Sequence, residues 1–337
     1  VCEEVGMEGA TGIDVSMLKG KKLLNMDSEE EGVMLASCAG GCRADVKLPV
    51  ERETVSGTKL TVSLSGLTGG HSGSEIDKGR GNANTLMSRL LRDASAPVAI
   101  ASIDGGRKDN AIPRECTAQI IVAPDKAAAV KASIEQAAAE IAEEFKASDP
   151  DIKLAVSEET DCSESAISAK DSARVIALIE ALPNGIIRMS REIDKLVETS
   201  LNLGVLKSDD AAVTLRYAVR SSVGVAKKSL KNQLVCIAGA FAAEVTFEGD
   251  YPAWEYKKDS KLREDMVRIF EEMYGKKPTV EAIHAGVECG LLSGKIEGLD
   301  CISMGPDMYD IHTTEERLSI SSAKRSYEYI LRVIACK

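Results

Sequence analysis

The chain alternates between short apolar runs and longer segments in which apolar residues recur every three or four positions. The short runs predict strands, and the periodic segments predict helices with one buried face. The predicted strands are residues 23–26, 60–64, 97–103, 116–122, 197–206, 211–219, 243–247, 280–283 and 301–304. The predicted helices are residues 82–92, 125–147, 173–182, 227–240, 259–274 and 321–334. This alternation is typical of an α/β or α+β fold.

Polar residues mark several ends of these elements. Asp125 precedes a segment rich in Ala, Glu and Lys, and we expect it to cap that helix. Asp149-Pro150 then ends the helical pattern, because proline removes a backbone donor. Ser208-Asp209-Asp210 separates two alternating runs and predicts the turn of an antiparallel strand pair.

The order of elements predicts two domains, as does a length of 337 residues. Residues 55–250 are expected to form one inserted domain. The blocks 55–150 and 150–250 both alternate strands and helices over similar lengths, which suggests two tandem halves, although no sequence repeat is visible. The pattern changes after Tyr251-Pro252-Ala253-Trp254, and the strands that follow are expected to rejoin the sheet begun near the N-terminus. Residues 1–50 and 255–337 would then be the first and last parts of a second domain.

Composition restricts the partners and the compartment. The net charge is −11 and no basic block interrupts it, so nucleic acid and anionic membranes are poor partners. We found neither a membrane-spanning apolar run nor a signal peptide. The nine cysteines are irregularly spaced, and Cys38 and Cys42 do not match zinc-finger spacing. These features indicate a cytoplasmic protein with reduced cysteines.

Carboxylates and one histidine follow three predicted strand ends. Glu3-Glu4 comes directly after Val1-Cys2, which resembles the end of a strand already under way. Such a pair is either a solvated turn or a metal ligand beside a general base. Asp27 ends the strand at 23–26, and His312 lies in the loop after the strand at 301–304. Together these side chains make a mixed nitrogen and oxygen metal site plausible.

Five motifs in order give the chain a specific resemblance, which covers its whole length. They are Cys2-Glu3-Glu4-Val5-Gly6-Met7-Glu8-Gly9-Ala10, Asn25-Met26-Asp27-Ser28-Glu29-Glu30, Gly69-Gly70-His71-Ser72-Gly73, Asn110-Ala111-Ile112-Pro113-Arg114-Glu115 and His284-Ala285-Gly286-Val287-Glu288-Cys289-Gly290. The chain resembles the M20 metallopeptidase family, and it is most similar to the aminoacyl-histidine (Xaa-His) dipeptidase branch. The resemblance implies an α/β catalytic domain, here incomplete, with a large inserted α+β lid and dimerisation domain.

The resemblance implies a site with two divalent metal ions. Zinc is the first choice, with manganese or cobalt as alternatives. Glu3 matches the general base and Glu4 the metal ligand beside it. Asp27 matches a ligand of one metal, and His312 matches a ligand of the other, which Glu4 shares.

The lid residues are implied in the same way. His71 matches a histidine that stabilises the oxyanion and can come from the partner subunit, so a homodimer is expected. Asn110 and Arg220 resemble residues that hold the substrate carboxylate, and arginine suits a bidentate contact of that kind. The implied substrate is a small dipeptide with a free N-terminus.

One departure from the family pattern concerns the metal ligands. The family carries a His-x-Asp pair and a bridging Asp upstream of the Glu-Glu motif, and no His-x-Asp occurs in these 337 residues. Glu4, Asp27 and His312 alone do not suffice for two ions. We therefore expect the parent protein to be an enzyme and this chain alone to be inactive, with its N-terminal segment lacking.

Three alternatives remain open at this point. The chain could be a non-enzymatic dimerisation or scaffold fragment, because it lacks the upstream ligands. It could instead carry another M20 activity, such as a tripeptide aminopeptidase or a deacetylase, although the large inserted domain argues against both. Cys289 and His284 also suggest a cysteine hydrolase, but no third residue orients them.

Overall fold

A computed structural model describes residues 7–311 and 314–336 of the chain. The helices in these ranges are α1 Glu8–Gly12, α2 Ala83–Arg92, α3 Ala127–Glu144, α4 Ala169–Ala181, α5 Gly224–Ala240, α6 Lys261–Tyr274, α7 Glu288–Lys295 and α8 Ile320–Ala335. The strands are β1 Lys22–Asn25, β2 Val33–Cys38, β3 Gly40–Pro49, β4 Arg52–Ser65, β5 Gly70–His71, β6 Ala99–Gly105, β7 Ala111–Ile112, β8 Cys116–Val122, β9 Lys153–Ile167, β10 Gly185–Met189, β11 Val197–Ser208, β12 Ala212–Ser221, β13 Glu244–Tyr251, β14 Thr279–Ile283, β15 Asp300–Ser303, β16 Met308–Tyr309 and β17 Arg317–Leu318. Every predicted helix and strand has a counterpart here, although the ends differ. The predicted strand end at Val1-Cys2 lies outside the described residues.

The smaller of the two main sheets joins the two ends of the chain. Its strand order is β1-β15-β2-β14, with β1 parallel to β15 and β14 parallel to β2. Helices α6 and α8 pack on it around Met34, Met266, Ile302 and Tyr329. The prediction that the strands after residue 254 rejoin the sheet begun near the N-terminus is confirmed.

The larger sheet contains the inserted strands. Its order is β13-β3-β12-β11-β6-β8-β4-β9, and β10 pairs with β11 beside this path. Strands β4, β6, β8 and β9 lie on one side, and β3, β11, β12 and β13 lie on the other. Only two register pairs join the groups, Leu206 with Gly105 and Lys207 with Asp104. The inserted strands therefore form two halves of one continuous sheet.

Strand β3 comes from the first part of the chain but belongs to the larger sheet. It pairs with β12 from Gly40 opposite Ser221 to Pro49 opposite Ala212. The division at residues 50 and 55 stays a prediction, although this pairing places β3 beside the inserted strands.

Helices α2 to α5 pack against the larger sheet around a single core. Leu60, Leu90, Ile134 and Leu234 are among its buried residues. Asn82 caps α2, since its side-chain oxygen accepts hydrogen bonds from the amides of the helix's first turn. None of the described helices is long and apolar enough to cross a membrane.

The predicted start of α3 is wrong in detail. Asp125 lies in a short 3-10 turn, and Lys126 occupies the cap position without a side-chain cap bond. The helix ends at Glu144, three residues before the predicted end. Pro124 at the head of the 3-10 turn accounts for the later start, because proline fits the first position of a helical turn.

Two extended segments cross between the two sheets and position the candidate site. Cys38 and Trp254 form an antiparallel bridge, with N–O distances of 3.0 and 3.1 Å. A Cβ at Gly40 would lie 2.4 Å from the Ala253 nitrogen, so only glycine fits this crossing. The chain therefore enters and leaves the larger sheet through one tightly packed pair of segments.

Candidate active site

His71 lies on a two-stranded sheet at the edge of the inserted domain. Strand β5 pairs with β7, so that His71 is opposite Ala111. Glu75 accepts a hydrogen bond from the His71 amide at 2.8 Å and another from Arg80 at 2.8 Å. The strand pairing and the bond to Glu75 therefore fix the backbone of His71.

The imidazole of His71 has one defined tautomer. Its Nδ1 accepts from the amides of Gly73 at 3.3 Å and Ser74 at 3.1 Å, and an amide can only donate. Burial, and then the charge of Arg220, lowers the pKa of His71, while Glu75 opposes the change. A neutral ring with the proton on Nε2 follows, and it can donate a hydrogen bond outward.

Arg220 lies on β12 with Ser200 of β11 and Gly41 of β3 as its cross-strand partners. Its Nη1 donates to the Tyr251 hydroxyl at 3.4 Å. Its Nε is buried and has no hydrogen-bond partner among the described residues. Burial raises the pKa of Tyr251, and the nearby Arg220 partly opposes this. The guanidinium is thus held at one end and has an unsatisfied donor at the other.

Asn110 and Arg220 line the same cavity, which has a volume of about 180 Å³. Tyr251 and the ion pair between Arg43 and Asp109, 2.7 Å apart, also line it. The Asn110 side chain is exposed, and its backbone oxygen accepts from the amide after His71 at 2.9 Å. The fold therefore gathers His71, Asn110 and Arg220, which are far apart in the sequence.

His284 belongs to the same group of side chains, and we did not select it as a site residue from the sequence. It follows β14 directly, is 5% exposed, and its Nε2 lies 2.7 Å from the Ser200 hydroxyl. Burial, followed by the charges of Arg220 and His71, lowers the pKa of His284 to about 3. The motif that starts at His284 was the available signal in the sequence.

The proposed pairing of Cys289 with His284 finds no support in the geometry. Cys289 is fully buried, and its hydrogen bond with Cys301, followed by burial, raises the pKa of its thiol. The His284 ring bonds to Ser200 instead. A thiol of this kind is a buried apolar group and a poor nucleophile.

Asp27 lies at the edge where β1 and β15 both end. These strands are parallel, with Asn25 opposite Ser303. Met304 donates to the Asn25 oxygen at 2.9 Å and accepts from the Ser28 amide at 3.4 Å. The loop after β15, which leads to His312, therefore runs alongside the exposed Asp27.

Comparisons with known proteins identify the family. An M20 family model, described as Peptidase dimerisation domain, matches residues 62–149. The cytosol non-specific dipeptidase of Escherichia coli (strain K12) is 35% identical over 324 residues, which are 95% of this chain and 67% of the relative. The chain belongs to the M20 dipeptidase family. The crystal structure of aminoacylhistidine dipeptidase from Vibrio alginolyticus has a TM-score of 0.91 at 33% identity, covering 99% of this chain and 69% of that chain.

The M20 comparisons confirm the resemblance and the mixed fold with its dimerisation domain. The relatives named above are dipeptidases and hence hydrolases, and this chain spans about two thirds of their length. A dinuclear metal-binding M20 peptidase of Bacillus subtilis is more distant, with 11% identity and a TM-score of 0.32 over 95% of this chain and 58% of its own.

The residues predicted as the general base and the metal ligands lie mostly outside the described residues, and their roles stay predictions. Glu3, Glu4 and His312 lie outside them, and Asp27 lies within them. Among the residues that the structure describes, no group of three or more His, Cys, Asp or Glu side chains could hold a metal ion. The donor set of two carboxylates and one imidazole fits zinc, but two ions require further ligands.

Proposed function

We propose that the protein hydrolyses unblocked dipeptides, including those of the Xaa-His type, in a cytoplasmic compartment. The observation that carries this proposal is that Asn110 and Arg220 line one cavity, with His71 held close to both, in a chain whose relatives are dipeptidases. The name of the Escherichia coli relative, a cytosol dipeptidase, supports the compartment.

Arg220 and Asn110 would bind the C-terminal carboxylate of the substrate. The unsatisfied Nε of Arg220 is buried, so a carboxylate would complete its hydrogen bonding. A guanidinium can bind a carboxylate through two parallel hydrogen bonds, which fixes its orientation. Asn110 lines the same cavity and would add an amide donor.

His71 and Glu3 would act at the scissile bond. Because Nδ1 of His71 is occupied by backbone amides, Nε2–H is the donor available to the developing oxyanion. Glu3 would take a proton from the attacking water and pass it to the leaving amine.

Glu4, Asp27 and His312 would hold part of a two-metal centre, with zinc as the preferred metal and manganese or cobalt as alternatives. Divalent ions bound there would polarise the scissile carbonyl and lower the pKa of a water molecule. The family's His-x-Asp pair and bridging Asp would supply the missing ligands, and no His-x-Asp occurs in these 337 residues.

Metal content and activity, measured together, test this proposal. The 337-residue chain is compared with a version extended at its N-terminus by a family segment that carries the His-x-Asp pair and the bridging Asp, called here the extended enzyme. We expect about two zinc or manganese ions per chain and cleavage of carnosine-like dipeptides in the extended enzyme only. Absence of both metal and cleavage from the extended enzyme would exclude the catalytic proposal and favour a scaffold role.

We also propose that the protein is a homodimer, because residues 62–149 match a peptidase dimerisation domain. Sedimentation equilibrium is expected to give twice the mass of one 35.9 kDa chain. A mass that stays at one chain as the protein concentration rises would contradict the dimer and leave the dipeptidase proposal intact.

A further inference from the structure

His284 connects the smaller sheet to the inserted domain. It follows β14 of the smaller sheet, and its side chain reaches Ser200 on β11 of the larger sheet. With 5% of its surface exposed, the ring is enclosed between the two parts of the fold. Within this site the proposed mechanism has given His284 no role.

The ring of His284 lies beside the proposed carboxylate-binding arginine. Ser200, which bonds to it at 2.7 Å, is the direct cross-strand partner of Arg220. Directly opposed residues share one face of a sheet, with Cβ atoms about 4.5–5.5 Å apart. The bond to Ser200 therefore keeps the imidazole next to the base of the Arg220 side chain.

The backbone of His284 touches the loop that carries the proposed oxyanion donor. A Cβ at Gly73 would lie 2.6 Å from the His284 oxygen and 2.9 Å from Cε1 of His71. The Gly73 amide is also one of the two donors to Nδ1 of His71. The Gly73 turn is thus fitted between His71 and His284.

We propose that His284 is a positioning residue that holds Arg220 and His71 at a set separation, so that one dipeptide can reach both. This inference rests on the proposed dipeptidase function. The side chain acts on Arg220 through Ser200, and the backbone acts on His71 through Gly73.

The charge state of His284 is compatible with this role. A cationic imidazole beside the guanidinium would repel it, whereas a neutral ring can pack there. Burial and the two neighbouring basic groups keep the ring neutral, with a pKa of about 3. The Val197 carbonyl raises that pKa slightly, although Nδ1 makes no hydrogen bond of normal geometry with any described residue.

The test uses the extended enzyme and two substrates, a dipeptide and its C-terminal amide, which lacks the carboxylate. In His284→Leu the ring bond to Ser200 is lost at similar side-chain volume. We expect KM for the dipeptide to rise about 10- to 100-fold, since hydrogen bonds to charged groups contribute on the order of 1.5–3 kcal/mol. The preference for the dipeptide over its amide should fall by a similar factor. Ser200→Ala should also raise KM for the dipeptide and lower the preference over its amide. In the double variant, neither quantity should change further than in His284→Leu.

Two further variants separate positioning from folding. His284→Gln can still reach Ser200 and is expected to recover part of the lost preference. Thr199→Val removes a neighbouring buried hydroxyl, which bonds to Ser221 on the opposite face of β11. This variant should keep the wild-type KM for the dipeptide and the wild-type preference over its amide. Thermal unfolding of each variant reports any loss of fold.

The outcomes distinguish this inference from the function on which it rests. If the unaltered extended enzyme cleaves no dipeptide, the proposed function fails. If that enzyme cleaves dipeptides but His284→Leu keeps the wild-type KM and preference for the free carboxylate, the positioning role is overturned. A drop in kcat alone, at constant KM and preference, also overturns it, because the side chain would then have no effect on carboxylate binding by Arg220.

Discussion

Replacement of Glu3 by glutamine in the extended enzyme is expected to lower kcat by about 10²–10⁴-fold, the usual contribution of a general base. Glutamine has nearly the same shape but cannot accept a proton at neutral pH. Glu4, the proposed ligand beside it, is unchanged, so metal content should stay at the wild-type level. Fixed-time activity assays with a dipeptide measure kcat, and elemental analysis of the same sample measures metal content.

Glu8→Gln is the matched control for this experiment. Glu8 is an exposed residue in the first turn of α1, five positions along the chain, and the same change of charge there should leave kcat unaffected. Turnover near the wild-type rate in Glu3→Gln would mean that another group takes the proton. Loss of metal together with activity would instead assign Glu3 a role in metal binding.

Replacement of His71 by alanine is expected to lower kcat by about 10²–10³-fold, which is typical for loss of one oxyanion donor. KM should change much less, because the oxyanion exists only in the transition state. The structural basis is the occupied Nδ1, which leaves Nε2–H as the free donor of a neutral ring. Steady-state kinetics of the extended enzyme with a dipeptide measure both constants.

Ser74→Ala is the control within the same loop. It removes the hydroxyl that lies 3.2 Å from Nδ1 but keeps both backbone amides, so the tautomer and most of kcat should be retained. An unchanged kcat in His71→Ala would exclude the oxyanion role. A rise in KM alone would assign His71 to substrate binding.

Local patterns in the sequence predicted most of the elements. The β11 and β12 pair with its turn at residues 208–210 was predicted because alternation and turn residues are local properties. Strand β9 and the strands β2 and β3 were missed. Much of β9 is exposed and polar, and β3 includes Arg43, Asp45 and Lys47, so hydrophobicity alone does not mark these two strands. Their strand form comes from pairing with distant partners.

In the proposed site, too, local motifs identified some residues, and only the tertiary structure showed which residues lie together. Motifs pointed to His71, Asn110 and Arg220, but no sequence pattern joins residues about 40 and 110 positions apart. Asn110 and Arg220 meet at one cavity, and the pairing of β5 with β7 holds His71 next to Asn110. Asp27 was placed correctly at a strand end, because a strand followed by a polar residue is a local signal. His284 was not selected, since its importance depends on Ser200, which lies in a different sheet.

The sequence by itself determined the family resemblance, the two kinds of periodic element and the identity of the candidate chemical groups, because these depend on residue types and short spacings. The tertiary structure alone decided that β3 joins the inserted strands, that Nδ1 of His71 is occupied, and that His284 bonds to Ser200 close to both His71 and Arg220. Those features depend on contacts between residues far apart in the chain. Such contacts form only when the whole core is packed, and so no local pattern records them.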